Sequence, residues 1–121
     1  MTDGGDPAAQ IVTDLAYDRA DRALAITFGD GATARLSAEF LRVHSPSAEV
    51  KGHAGRGGQL VKGKQNVTIT GLEPVGSYAV KIIFDDGHDT GLYSWPYLRD
   101  LADNADRYWA AYQAKILPKS L

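Results

Sequence analysis

The 121-residue chain contains no cysteine. Disulfides, thiol catalysis and thiolate metal sites are thereby excluded. No apolar run approaches the roughly 18–20 residues that a bilayer-spanning helix needs. The start, MTDGGDPAAQ, has neither the basic stretch nor the apolar core of a secretion signal. A cytoplasmic location without membrane attachment is the expectation. Charge of one sign is also scarce. Thirteen Lys and Arg against 15 Asp and Glu leave a net charge of −2, so the basic footprint of a nucleic-acid binder is missing. What remains is 44% hydrophobic, enough for one core and, at this length, for one domain.

Residues 1–10 are rich in Gly, Asp, Ala and Pro and read as a disordered segment before a domain at 11–117. Alternating apolar residues predict strands over Ile11 to Tyr17, over Leu24, Ile26 and Phe28, and over Ala32, Ala34 and Leu36. Ser37 then caps a short helix from Ala38 to Val43, stopped before Pro46. Residues 45–66 have no periodicity and hold five glycines. A stretch of this length is either functional or mobile. Further strands are predicted from Val67 to Leu72 and from Tyr78 to Ile83, with Glu73-Pro74-Val75-Gly76 as a turn between them. Ser94 caps a helix from Trp95 to Ala102. Asp103 caps a last one through Ile116, carrying Ala105, Tyr108, Trp109 and Tyr112 at helical spacing.

The segment Ile82-Ile83-Phe84-Asp85-Asp86-Gly87, followed by Leu92, Ser94 and Leu98-Arg99, echoes an earlier one. Its counterpart is Ile26-Thr27-Phe28-Gly29-Asp30-Gly31, followed by Leu36, Ser37 and Leu41-Arg42, displaced by 56 and then 57 positions. Each half reads strand, Asp-Gly turn, strand, serine cap, helix. Either a duplicated unit or two separate uses of common turn chemistry produces such an echo. The fold class expected is α+β: one domain, mainly antiparallel sheet, built of two pseudo-repeated hairpin–helix halves plus a C-terminal helix.

The stretches LRVHSPSAEVKGH (41–53) and GLEPVGSYAVKIIFDDGHDTGLYSWPYLRDL (71–101) resemble the DUF971 family, which is similar to the N-terminal domain of gamma-butyrobetaine hydroxylase and trimethyllysine hydroxylase. The resemblance covers roughly residues 11–101, and GHDTGLYSWPYLR is its most specific tract. It implies a small domain that occurs alone in bacteria, beside iron–sulfur carrier proteins, or in front of an oxygenase domain. In the hydroxylases it implies a zinc held by three Cys and one His. Those positions fall here on Ser45, Ser47, Val50 and His88, so only the histidine is retained. The zinc site is expected to be lost. The iron and 2-oxoglutarate oxygenase domain has no counterpart in these 121 residues, and no hydroxylase activity is implied.

Four sets of residues can carry function. His88 and His53, with Asp86 or Asp89, are candidate ligands for zinc or iron; the alternative places His88 in a turn, bonded to backbone or carboxylate. Ser45, Ser47, Ser94, His88 and Asp89 are the pieces of a hydrolase triad, but no Gly-x-Ser-x-Gly elbow accompanies them. Lys51, Arg56, Lys62 and Lys64 make the glycine-rich loop basic, either as a solvated loop or as a site for a phosphate or an acidic protein surface. Asp86, His88, Tyr93, Trp95, Tyr97 and Arg99 form a candidate interaction surface, with core packing the competing role for its aromatics. The expectation is a non-catalytic binding or adaptor domain with a protein partner, linked to iron–sulfur assembly or an oxygenase. The alternative is a metal-binding protein using His and carboxylate. Neither the oligomeric state nor any required cofactor follows from the sequence.

Overall fold

The computed structural model describes residues 7–47 and 61–116. Six strands form two three-stranded antiparallel sheets. Sheet A is β1 (Val12–Asp18), β2 (Ala23–Phe28) and β3 (Thr33–Ser37), and sheet B is β4 (Ile69–Val75), β5 (Ala79–Phe84) and β6 (Leu92–Ser94), each in sequential order. Helix α1 (Ala38–Val43) follows sheet A. Helices α2 (Trp95–Asp103) and α3 (Ala105–Ile116) follow sheet B. The expected α+β domain of two hairpin–helix halves with a C-terminal helix is the fold observed. Leu24, Ile26, Phe28 and Leu36 of sheet A meet Val80, Ile82, Phe84 and Tyr93 of sheet B in one core. Leu41 of α1 and Leu98 and Leu101 of α2 close it.

The two halves match in atomic detail. Both central strands bury alternate residues from Leu24 and Val80 onward. Both outer strands carry an irregularity at the same place, after Val12 and after Ile69. Gly31 and Gly87 turn the hairpins at φ +92° and +91°, a region that penalises a side chain. Ser37 Oγ accepts the Phe40 N–H at 3.0 Å, and Ser94 Oγ accepts the Tyr97 N–H at 3.2 Å. Both serines are therefore the N-caps expected of them.

Three expectations need correction. Pro7–Gln10 is one turn of 3-10 helix rather than part of a frayed segment; Ala8 O accepts from Ile11 N, and Ala9 O accepts from Arg99 Nη1. Glu73, Pro74 and Val75 continue β4, because a proline is tolerated on an edge strand. The turn falls at 76–78, leaving Tyr78 exposed. Asp103 ends α2 and accepts from Arg99 Nε at 3.0 Å, instead of capping α3.

Two ion pairs cross between the halves. Arg42, on the helix of the first half, donates from Nε to Asp86 Oδ2 in the turn of the second at 2.8 Å. Arg99, on the helix of the second half, donates from Nη1 to both oxygens of Asp30 in the turn of the first, at 3.0 and 3.1 Å. The Arg99 guanidinium also lies over the Phe28 ring, 4.9 Å from its centroid. The pairs differ in burial. The Arg42 side chain is 11% exposed, against 19% for Arg99. Desolvation pushes the Asp86 carboxyl up. Hydrogen bonds from Lys64, the His88 N–H and Arg42 outweigh it and hold the group well below the usual carboxylate range.

Asp86→Ala leaves a buried guanidinium uncompensated and is expected to cost about 3 kcal/mol in urea unfolding. Asp30→Ala, with Asp103 still on Arg99, should cost clearly less; equal costs would contradict the burial difference. Because the folded carboxyl of Asp86 lies below its ordinary 3.8, its contribution is complete above that value and disappears as pH falls through the folded value. Thermal unfolding between about pH 5 and 2 should therefore be steeper in pH for the wild type than for Asp86→Asn.

Candidate functional site

The site lies where the exit from α1 meets the turn after β5. The α1 end is held by tyrosines of the second half. Tyr93 Oη donates to Leu41 O at 2.5 Å, and Tyr97 Oη donates to His44 O at 2.6 Å. His44 itself donates from N and from Nδ1 to Phe40 O. These contacts satisfy carbonyls that a helix end otherwise leaves open. They deliver Ser45, fully buried, against the turn.

The turn is ordered from its own backbone. Phe84 N donates to His88 O at 3.0 Å, and His88 N donates to Asp86 Oδ1 at 3.1 Å. The His88 ring packs against Phe84 and is 7% exposed. Its Nε2 lies 2.8 Å from Ser45 Oγ and 3.5 Å from Ser47 Oγ, and Ser47 N donates to Ser45 Oγ at 3.3 Å. Gly91 makes the approach feasible, since a Cβ there would collide with Ser45 Oγ and crowd Pro46 and Tyr93. Burial pushes the Tyr93 phenol far above its ordinary value, against a hydrogen bond with Ser45. Burial, with Asp100 and Tyr108 nearby, raises Tyr97 to about 12. Both hydroxyls stay protonated as donors.

This arrangement is not a hydrolase triad. Ser45 meets the imidazole but has no exposed surface, and Asp86 takes the backbone N–H of His88 while its other oxygen holds Arg42 and Lys64. Ser94 is spent as a cap, and Asp89 is exposed. A nucleophilic serine must be open to its substrate. Among the described residues no group of three or more His, Asp or Glu is arranged to hold a metal. His53, the expected partner of His88, lies outside the described residues, as do Val50, Lys51 and Arg56.

The expected interaction surface does not form one face. Tyr93 is 0% exposed and His88 is buried. Asp86 and Arg99 are committed to the crossed ion pairs, and Trp95 and Tyr97 are half-buried. The core takes these aromatics because alternation along β6 turns Tyr93 inward opposite Val80. Lys64 is likewise no free loop cation, since its Nζ sits 2.6 Å from Asp86 Oδ2; Lys62 is exposed. Arg42 and Gly91, which organise the site, were not among the sequence candidates. The matched Leu-Arg and Asp-Gly pairs of the two halves were the available signal for Arg42.

Residues 15–99 match the family model described as gamma-butyrobetaine hydroxylase-like, N-terminal. A crystal structure from Acidithiobacillus ferrooxidans ATCC 23270, of a protein of unknown function in the DUF971 family, is 38% identical with a TM-score of 0.66. That match covers 81% of this chain and 98% of the other. Two proteins with NMR solution structures are 51% and 47% identical, with TM-scores of 0.78 and 0.74. They cover 96% and 88% of this chain, and 85% and 83% of their own. No curated protein matches the chain significantly. The family match and these neighbours carry one conclusion: the chain belongs to the gamma-butyrobetaine hydroxylase-like N-terminal family, DUF971.

Proposed function

We propose that the chain is a non-catalytic binding domain that contacts a partner protein through the outer face of sheet B. The family match is to an N-terminal domain that lacks the oxygenase. Among the described residues no helix is long and apolar enough to cross a membrane. The observation that carries the reading is a divergence between two otherwise matching halves. On the outer face of sheet A, Arg35 opposes Ala25 and is tied to Asp18 and Asp21 at 3.0 and 2.8 Å. Leu92 occupies the equivalent place on sheet B, opposite Lys81, and is 47% exposed. Thr27 of sheet A is likewise replaced by Ile83. Tyr78, at the end of the same sheet, is 60% exposed.

Such a face has an apolar centre, with the Lys81–Glu73 pair at 3.3 Å beside it. Apolar residues gathered on one face of a repeated framework favour association over solvation. An iron–sulfur carrier or an oxygenase is the partner class that the family suggests. The expected metal-binding alternative draws less support, because His88 Nε2 is engaged by serine hydroxyls.

The test is retention of partners from native lysate by the immobilised chain. Leu92→Ser with Tyr78→Ser should leave thermal unfolding within about 0.5 kcal/mol of wild type. It should weaken capture about tenfold or more, the effect of unburying one leucine. Equal capture by both proteins would remove this face as the contact.

A further inference from the structure

The family resemblance implies a zinc at positions 45, 47, 50 and 88, and the residues of this chain do not fit it. Three of those positions converge in the structure: Ser45 Oγ and Ser47 Oγ lie 2.8 and 3.5 Å from His88 Nε2. Two are neutral hydroxyls, which supply none of the thiolate charge that such a site uses. Ser45 Oγ is already occupied, sharing one hydrogen bond with His88 and accepting another from Ser47 N. The nearby carboxylate is also engaged already. Arg42 and Lys64 bring two cations to the one carboxylate of Asp86, which also holds the His88 backbone. Among the described residues the buried Arg42 Nη1 has no hydrogen-bond partner, so the group next to the cluster offers a donor rather than a lone pair.

We infer that this chain uses a hydrogen-bonded clasp where the resemblance implies a metal staple, with Ser45 and Ser47 closing on His88 and locking the exit of α1 to the turn of the second half. The parts fit that role closely. Ser45 is 0%, His88 7% and Ser47 9% exposed, so water does not compete for the bonds. Gly91 leaves the space that Ser45 Oγ occupies. Asp86 couples the clasp to Arg42, because its two oxygens take the His88 N–H and the guanidinium. The clasp concerns how the domain is held together and stands whether or not sheet B is a docking face.

The experiment is elemental analysis of untagged protein grown with added zinc and iron, together with thermal unfolding with and without EDTA. Substoichiometric metal and a Tm unchanged by EDTA are expected. Ser45→Ala should lower Tm by about 3–6 °C through loss of one buried hydrogen bond. Gly91→Ala, which forces Ser45 Oγ aside, should lower it as well. Stoichiometric zinc or iron whose removal lowers Tm would overturn the inference, and so would a Ser45→Ala protein as stable as wild type. The metal measurement decides even if neither variant folds.

Discussion

The Arg42–Asp86 ion pair is the constraint on which the rest of the arrangement depends. A guanidinium this deeply buried needs an acceptor, and among the described residues that acceptor is Asp86 of the other half. The turn of the other half must therefore stay in place. Asp86 holds that turn by accepting from the His88 N–H, and the ordered turn presents the imidazole to Ser45. Helix, turn and serine exit are coupled through a single carboxylate. The matching Arg99–Asp30 pair ties the opposite junction, nearer the surface and with Asp103 as a second acceptor. The molecule thus has one stiff seam and one more forgiving seam.

Repetition supplies the framework, and departures from repetition carry what is individual to the protein. Caps, turns, strand irregularities and crossed arginines recur at offsets of 56 or 57 positions. Ala32 in the first half corresponds to His88 in the second; strand pairing corrects the sequence match of Leu36 with Leu92, setting Tyr93 in the place of Leu36 and Leu92 in that of Arg35. The first two changes build the buried polar cluster, with Tyr93 reaching from β6 to the Leu41 carbonyl. The third leaves an apolar side chain where the other sheet has an ion-paired one. One half carries the buried polar cluster and an exposed Leu92, whereas the other carries an ion-paired Arg35 at the matching place.

The buried cluster also shows why residue types alone mislead about chemistry. Serine, histidine and aspartate come together here, which in an open cleft would suggest nucleophilic catalysis. Their bonding partners decide otherwise. The aspartate serves an arginine, a lysine and a backbone N–H, and the serine is sealed from solvent. Desolvation that would hinder a nucleophile's access instead strengthens each hydrogen bond of the cluster.

The sequence by itself determined the local structure. Period-2 alternation located the central strands, Ser37 and Ser94 announced their helices, and Asp-Gly pairs announced the hairpins, because these signals depend on neighbours along the chain. The echo of Leu41-Arg42 in Leu98-Arg99 left a duplicated unit and common turn chemistry as alternatives, and the matching sheets support two like halves. Only the tertiary structure decided which partners those residues take. Arg42 finds Asp86 44 positions away, and Ser45 finds His88 at a separation of 43. Tyr93 was legible as an aromatic on a strand, but its inward direction depended on the register with Val80. Pro74 read as a turn until its pairing with Val80 placed it on an edge. Spacing along a chain specifies backbone geometry, whereas charge pairing, burial and the space left by Gly91 arise only when the two halves meet.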